Sequence, residues 1–132
     1  MNKLVEVAIV EDEEAIHELF QIYFKTEVRQ KKYKLHHFLN GEECFNYLEE
    51  HSAEIKILLI LSDINMPIMD GFDLLELTQK HFPKIQTIMI SAYEKEEYIA
   101  KAQNLGAKKY LTKPLDFEKL KIEMDRLLSH AA

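Results

Sequence analysis

Five short runs suited to buried strands alternate with five segments of helical periodicity along the 132 residues of this chain. Val5–Val10 and residues 57–62 are almost entirely apolar, which is typical of parallel strands covered on both faces. The other predicted strands are residues 35–39, 85–90 and 108–112. The predicted helices are residues 13–26, 41–50, 71–82, 94–105 and 115–129. This alternation predicts an α/β fold in which one parallel sheet lies between two helix layers.

Glycine and proline mark where several predicted elements begin and end. Gly41 follows Asn40 at a turn before the second helix, and Pro83 ends the third helix. Gly106 lies just beyond the fourth helix, as is typical of a helix C-terminus. No repeat or linker interrupts the pattern, so we expect residues 1–132 to form a single domain.

Composition and charge argue against two classes of partner. The longest apolar run, residues 57–61, is far shorter than the roughly 20 residues that span a bilayer, so no membrane insertion is expected. The net charge of −6 argues against direct binding of nucleic acid, which needs a cationic face. The basic stretch from Arg29 to Lys34 is an exception, and we interpret it as a solvated loop. No signal peptide is recognisable, so the expected location is the cytoplasm.

Cysteine and histidine suggest little chemistry. Cys44 is the single cysteine, which excludes an internal disulfide, and its helical spacing predicts a small core residue. His36 and His37 are neighbours in a predicted strand and therefore point to opposite faces. The other histidines are expected to be at the surface or partly buried: His17, His51, His81 and His130.

Polar groups lie at the predicted carboxyl ends of four strands. Glu11 and Asp12 follow the first strand, and Asp63 follows the third. Ser91 and Lys113 end the fourth and fifth strands in the same way. Open α/β sheets bind ligands at this edge, so the five residues are candidates for one site.

The three acids would meet if the first and third strands are neighbours. Like charges at that separation disfavour one another unless a cation neutralises them. Mg²⁺ suits such a site, because it takes one or two carboxylates together with water and phosphate oxygens. Asp63 could then act as a nucleophile that forms an aspartyl phosphate. Mg²⁺, Lys113 and the Ser91 hydroxyl would stabilise the charge on the transferred group.

The segments that carry these groups resemble a known family. They are Glu11-Asp12, the stretch from Asp63 to Gly71, Ser91-Ala92, and the stretch from Tyr110 to Pro114. Together they resemble the receiver domain of bacterial two-component response regulators, of the single-domain chemotaxis-regulator type, over essentially the whole chain. The resemblance implies a flavodoxin-like, doubly wound sheet of five parallel strands in the order 2-1-3-4-5, with five helices.

The resemblance also implies a role for each candidate residue. Asp63 would accept a phosphoryl group from a phosphohistidine on a sensor histidine kinase or a phosphotransfer protein. Asp12, Asp63 and the main-chain carbonyl of Asn65 would hold Mg²⁺, and Glu11 would act through water. Lys113 would pair with the phosphoryl oxygens, and its bond to the following proline would be cis.

Ser91 and Tyr110 resemble the switch pair of the family. The hydroxyl would move towards the phosphoryl group, and the aromatic ring would turn inward into the vacated space. That change would alter the surface of the fourth predicted helix, the fifth strand and the last helix, which a downstream effector protein would bind. Asn65 and Tyr93 would border the phosphoryl group, and we hypothesise that the Tyr93 ring hinders attacking water.

The chain departs from the family pattern in four places. The acidic pair is Glu-Asp rather than Asp-Asp, and Ser91 replaces the commoner threonine. Ser62 precedes Asp63, where an apolar residue is frequent. The segment between the first helix and the second strand is long and unusually basic.

Three alternatives compete with a phosphoacceptor switch. A haloacid-dehalogenase-like phosphatase would need a second acid two residues after the nucleophile, where this chain has Asn65. A nucleotide-binding domain would need a glycine-rich loop, but the chain has three scattered glycines. A phosphorylation-silent interaction module remains open. We predict a signalling protein that catalyses only its own phosphorylation and dephosphorylation, and no enzyme acting on an external substrate.

Overall fold

The computed structural model describes residues 4–129, in which a five-stranded parallel sheet lies between two layers of helices. The strands are β1 (Val5–Val10), β2 (Tyr33–Phe38), β3 (Ile57–Ser62), β4 (Gln86–Ser91) and β5 (Lys109–Thr112). Their order, β2-β1-β3-β4-β5, confirms the predicted fold class and strand order. No helix within residues 4–129 is long and apolar enough to cross a membrane. The ends of the expected domain, with His130, lie outside the described residues.

The helices confirm four of the five predicted segments, and two helices replace the first. They are α1 (Glu14–Tyr23), α2 (Lys25–Arg29), α3 (Gly41–Glu50), α4 (Gly71–His81), α5 (Glu96–Asn104) and α6 (Phe117–Ser129), with a 3₁₀ turn at Ser52–Glu54. The single helix predicted over 13–26 is therefore wrong, because the chain leaves helical geometry at Phe24 (φ −104°, ψ 10°). The Phe24 ring is fully buried against Tyr33 and Phe117, so tertiary packing divides this helix.

The solvated loop predicted from Arg29 to Lys34 is also largely replaced by regular structure. Arg29 is the last residue of α2, and Tyr33 and Lys34 begin β2 two residues earlier than predicted. Tyr33 is 2% exposed, and its burial anchors the start of this strand.

Side chains that alternate along the strands fill a separate core on each face of the sheet. Val7 and Ile9 pack with residues of α1 and α6, including Phe20. Ala8 and Val10 point the other way and pack against α3 and α4. Cys44 of α3 is fully buried in this second core, as predicted. The apolar runs thus reflect a sheet covered on both faces.

The strand register determines which residues meet at the carboxyl edge of the sheet. Val10 of β1 lies opposite Ser62 of β3, so Glu11 and Asp63 leave the sheet side by side. β4 and β5 end together at the same edge, and Lys113, which follows β5, therefore lies close to Asp63.

Candidate functional site

Three carboxylates converge at the carboxyl edge of β1 and β3. Glu11, Asp12 and Asp63 each present an oxygen, and these oxygens all lie within 4.8 Å of one another. Glu11 is buried, Asp12 is at the surface and Asp63 is intermediate. A cluster of oxygen donors open to solvent on one side is a ligand set that suits Mg²⁺. The acidic cluster predicted from strand ends is thus present.

Lys113 supplies the counter-charge to this acidic cluster. Its Nζ lies 2.6 Å from Oε1 of Glu11 and 3.5 Å from Oδ2 of Asp63. The Lys113–Pro114 peptide bond is cis, as the resemblance implies. The ammonium group therefore lies between a buried acid and the candidate nucleophile, where it can contact an anion bound to Asp63.

Burial and charge both shift the pKa values of the site. Burial raises the pKa of Asp63, although the Lys113 ammonium and the Ile64 N–H favour its charged form. Burial also raises the pKa of Asp12, and the neighbouring Glu11 adds to that effect. Burial alone would lower the pKa of Lys113, but its contacts with Glu11 and Asp63 raise it. The site thus keeps its ammonium charged and disfavours ionising all its acids at once.

The backbone around Asp63 is held by close contacts on three sides. Oδ1 of Asp63 accepts a hydrogen bond from the Ile64 N–H at 2.8 Å. The buried hydroxyl of Ser62 donates to the Asp63 carbonyl at 2.8 Å, which accounts for a polar residue at this position. Gly71, the first residue of α4, donates its N–H to the Ile64 carbonyl at 2.8 Å. A Cβ at Gly71 would lie 2.0 Å from the Asp63 carbonyl oxygen, so only glycine permits this approach.

The proposed switch and access residues are linked to one another by hydrogen bonds. Ser91 is fully buried, and its Oγ accepts a hydrogen bond from the Tyr93 N–H at 3.1 Å. The Tyr110 hydroxyl donates to the Tyr93 carbonyl at 2.6 Å. The Asn65 side-chain amide donates to the Tyr93 hydroxyl at 3.3 Å. The Tyr93 ring stacks on Tyr98 of α5, which connects this loop to the helix.

One histidine beside the site was missed by the sequence analysis. His17 is 7% exposed, so the expectation of a surface or partly buried side chain is wrong. Its Nε2 donates to the Glu11 carbonyl at 2.7 Å, and its Nδ1 lies 2.7 Å from Nδ1 of His37. The sequence contained a signal for this burial, because His17 lies three residues before Phe20 and so shares the buried face of α1. Its hydrogen bond helps to fix the backbone of Glu11.

Comparison with known sequences identifies the family of this chain. Residues 7–125 match the response regulator receiver domain. The chain is similar to the response regulator GtcR of Aneurinibacillus migulanus, with 28% identity over 83% of this chain and 42% of that protein. It is also similar to the DNA-binding transcriptional regulator NtrC of Klebsiella pneumoniae, with 32% identity over 70% of this chain and 19% of that protein. The chain thus spans less than half the length of these relatives.

Solved structures of similar shape cover nearly the whole chain. A CheY-like receiver domain protein from Methanospirillum hungatei superposes with a TM-score of 0.85 and 26% identity, over 98% of this chain and 97% of that one. A chain of the CheX–CheY–BeF₃–Mg²⁺ complex from Borrelia burgdorferi gives a TM-score of 0.81 and 26% identity, over 94% of this chain and 89% of that one. The similarity therefore includes the complete sheet and the edge that carries the acidic cluster.

Proposed function

The chain belongs to the response regulator receiver domain family, and from this premise we propose that it acts as a phosphoacceptor switch. Asp63 accepts a phosphoryl group from a phosphohistidine on a sensor histidine kinase or phosphotransfer protein. The observation that carries the proposal is the position of Asp63 between two further carboxylates and the Lys113 ammonium. This arrangement places a nucleophile beside further carboxylates that suit a cation and beside an ammonium group that suits an anion.

The chemical step is an in-line phosphoryl transfer. An oxygen of the Asp63 carboxylate attacks phosphorus, the new O–P bond replaces the P–N bond of the donor, and the histidine nitrogen keeps the electron pair. Lys113 contacts the oxygens of the transferred group, since its Nζ lies 3.5 Å from Asp63. The Ser91 hydroxyl is a further hydrogen-bond donor.

The donor set fits Mg²⁺, because three clustered carboxylates carry more negative charge than Lys113 can neutralise. Asp12, Asp63 and the main-chain carbonyl of Asn65 would hold the ion, and Glu11 would contact it through water. When bound, Mg²⁺ neutralises charge on the carboxylates and on the phosphoryl oxygens.

The contacts of Tyr93 supply a route from the site to the surface. Its main chain bonds to both Ser91 and Tyr110, and its ring stacks on Tyr98 of α5. A movement of the Ser91 hydroxyl towards a phosphoryl group would break its bond to the Tyr93 N–H. The surface formed by α5, β5 and α6 would then change, and a downstream effector protein would respond to it.

Intact-mass analysis after incubation with acetyl phosphate tests the proposal. We expect one phosphoryl group to add to the wild type with Mg²⁺, and none with EDTA or in Asp63→Asn. Asp70→Asn is the matched control, because it removes a nearby acid at the start of α4 while leaving an oxygen to accept the Asp73 N–H. No addition to folded, Mg²⁺-binding wild type would contradict the proposal and favour a phosphorylation-silent interaction module.

A further inference from the structure

A basic groove borders the open edge of the sheet, away from the acidic cluster. It has a volume of about 770 Å³ and is lined by residues of α1, α2, β2 and the segments beside them. Four exposed cations line it, and no acidic residue does: Lys25, Arg29, Lys31 and Lys34. On a chain of net charge −6, this concentration of positive charge is a distinct feature.

Among the described residues, none of these four cations takes part in the ion pairs of that region. Within residues 4–129, the neighbouring pairs join Lys32 to Asp125 at 2.9 Å and Lys121 to Glu27 at 3.0 Å. Glu27 of α2 and Asp125 of α6 are thus paired with lysines other than those of the groove. The groove cations remain available to an external anionic group.

The main chain of β2 offers hydrogen-bonding groups along the groove. In the described residues β2 pairs only with β1. The Lys32 carbonyl accepts a hydrogen bond from the Val5 N–H of β1, and the Phe38 carbonyl accepts one from the Glu11 N–H just after β1. Because main-chain groups alternate in direction along a strand, those of Leu35 and His37 face the open edge. An unpaired edge of this kind is a template for a further strand.

The groove also has apolar surface beside its charges. Leu4 is 47% exposed and Val28 is 43% exposed, and both line the groove with the partly buried Leu35. A strand presents alternate side chains to opposite faces, so one face of a bound segment could contact this surface. The side chains on the other face of the bound segment would lie near the four cations.

We infer that this groove docks an acidic, extended segment of a partner protein, which adds as a strand beside β2. Main-chain hydrogen bonds to the β2 edge would provide affinity, and the four cations would select acidic sequences. The open edge favours a peptide over nucleic acid or an anionic membrane, because neither of those ligands supplies the N–H and C=O groups of a strand. The inference is independent of phosphorylation at Asp63.

Fluorescence anisotropy with a labelled peptide tests the inference. The probe is a six-residue peptide, the length of β2, that alternates glutamate with valine. We expect saturable binding that weakens with added salt, and no binding of the same peptide with lysine in place of glutamate. The peptide N-methylated at alternate residues should bind at least about tenfold more weakly, because it lacks the donors that a strand requires.

Charge reversal locates the binding surface. Lys25→Glu with Arg29→Glu should weaken binding of the acidic peptide about tenfold or more. The control, Lys84→Glu with Lys108→Glu, changes two exposed lysines elsewhere and gives the same net charge, so it should bind as the wild type does. Asp63→Asn should also bind normally, which separates this inference from the phosphoacceptor proposal.

Several results would overturn the inference. If both double variants weakened peptide binding equally, the peptide would be attracted to positive charge in general. If the N-methylated peptide bound as tightly as the unmodified peptide, strand addition would be excluded. Binding of a DNA oligonucleotide or of phosphatidylserine vesicles through Lys25 and Arg29, without binding of the peptide, would assign the groove to that ligand instead.

Discussion

Replacing Gly71 with alanine should displace the candidate phosphoacceptor. The new Cβ would lie 2.0 Å from the Asp63 carbonyl oxygen and 2.9 Å from Cα of Ile64, whereas contacts under 3.0 Å essentially never occur. The start of α4 and the end of β3 must therefore separate by about 1 Å. That movement would also stretch the 2.8 Å hydrogen bond from Gly71 to the Ile64 carbonyl.

The energetic cost follows from these two effects. Overpacking of this kind costs about 1–3 kcal/mol, and loss of the hydrogen bond adds about 1 kcal/mol. We therefore expect Gly71→Ala to lower the free energy of unfolding by about 2–4 kcal/mol in urea denaturation. A displacement of about 1 Å should also slow phosphorylation by acetyl phosphate on the order of 100-fold.

Gly41→Ala is the matched control, since Gly41 is likewise the first residue of its helix after a capping side chain. Its Cβ would lie 2.9 Å from Cγ and from the carbonyl oxygen of Met69, so this change also requires movement, but less than the 2.0 Å contact at Gly71 does. We expect a loss of about 1 kcal/mol, smaller than that of Gly71→Ala, and normal phosphorylation. If Gly71→Ala kept the stability and the phosphorylation rate of the wild type, the close contact between Gly71 and the Asp63 carbonyl would not be what positions Asp63.

Four further predictions concern single side chains. Tyr93→Ala should speed hydrolysis of the phosphorylated protein by about threefold to tenfold, because Tyr93 contacts Asn65, two residues after Asp63. Tyr93→Phe, which keeps the ring, should not. Equal rates in the wild type and Tyr93→Ala would sink the shielding hypothesis. Ile68 is 74% exposed and has a φ of 69°, a left-handed conformation that strains a β-branched residue. Ile68→Gly should therefore raise the free energy of unfolding, measured in urea, by about 0.5–1 kcal/mol. A loss of stability would contradict this backbone strain. Burial raises the pKa of Cys44 to about 12. Its thiol should therefore react with Ellman's reagent only after unfolding. Rapid reaction in native buffer would disprove its burial. The raised pKa values of Asp63 and Asp12 mean that the folded state holds more protons than the unfolded state above pH 3.8. The two carboxyls therefore contribute less stability as pH rises above that value. Asp63→Asn should reduce this loss of stability with rising pH, and Mg²⁺ should offset it in the wild type. Urea denaturation midpoints measured across the pH range test both expectations. Identical pH profiles for the wild type and Asp63→Asn would contradict the raised pKa of Asp63.

Local patterns in the chain were sufficient to predict most elements of the fold. Apolar runs and helical spacing indicated all five strands and the principal helices, because each element must bury one face or both. The order of the strands came from the resemblance to receiver domains, and the structure confirms it. The division at Phe24 could not be predicted in this way. It depends on the burial of one ring against Tyr33 of the next strand and against Phe117, which is distant in sequence.

The candidate site shows the same contrast between local and tertiary information. Acids and a lysine at strand ends predicted a cluster, since parallel strands end at a common edge. The contacts of Gly71 and His17 with that cluster were not predicted, because each depends on how closely α4 and α1 approach the sheet.

The sequence by itself determined the α/β class, the buried strands and the acidic character of the site, because these follow from periodicity and from residue type. Only the tertiary structure decided that the basic stretch borders an open strand edge, and that the Glu11 carboxylate lies 2.6 Å from Lys113. Those features arise when segments far apart in the chain meet. Their separation is set by packing across the sheet, which no local pattern encodes.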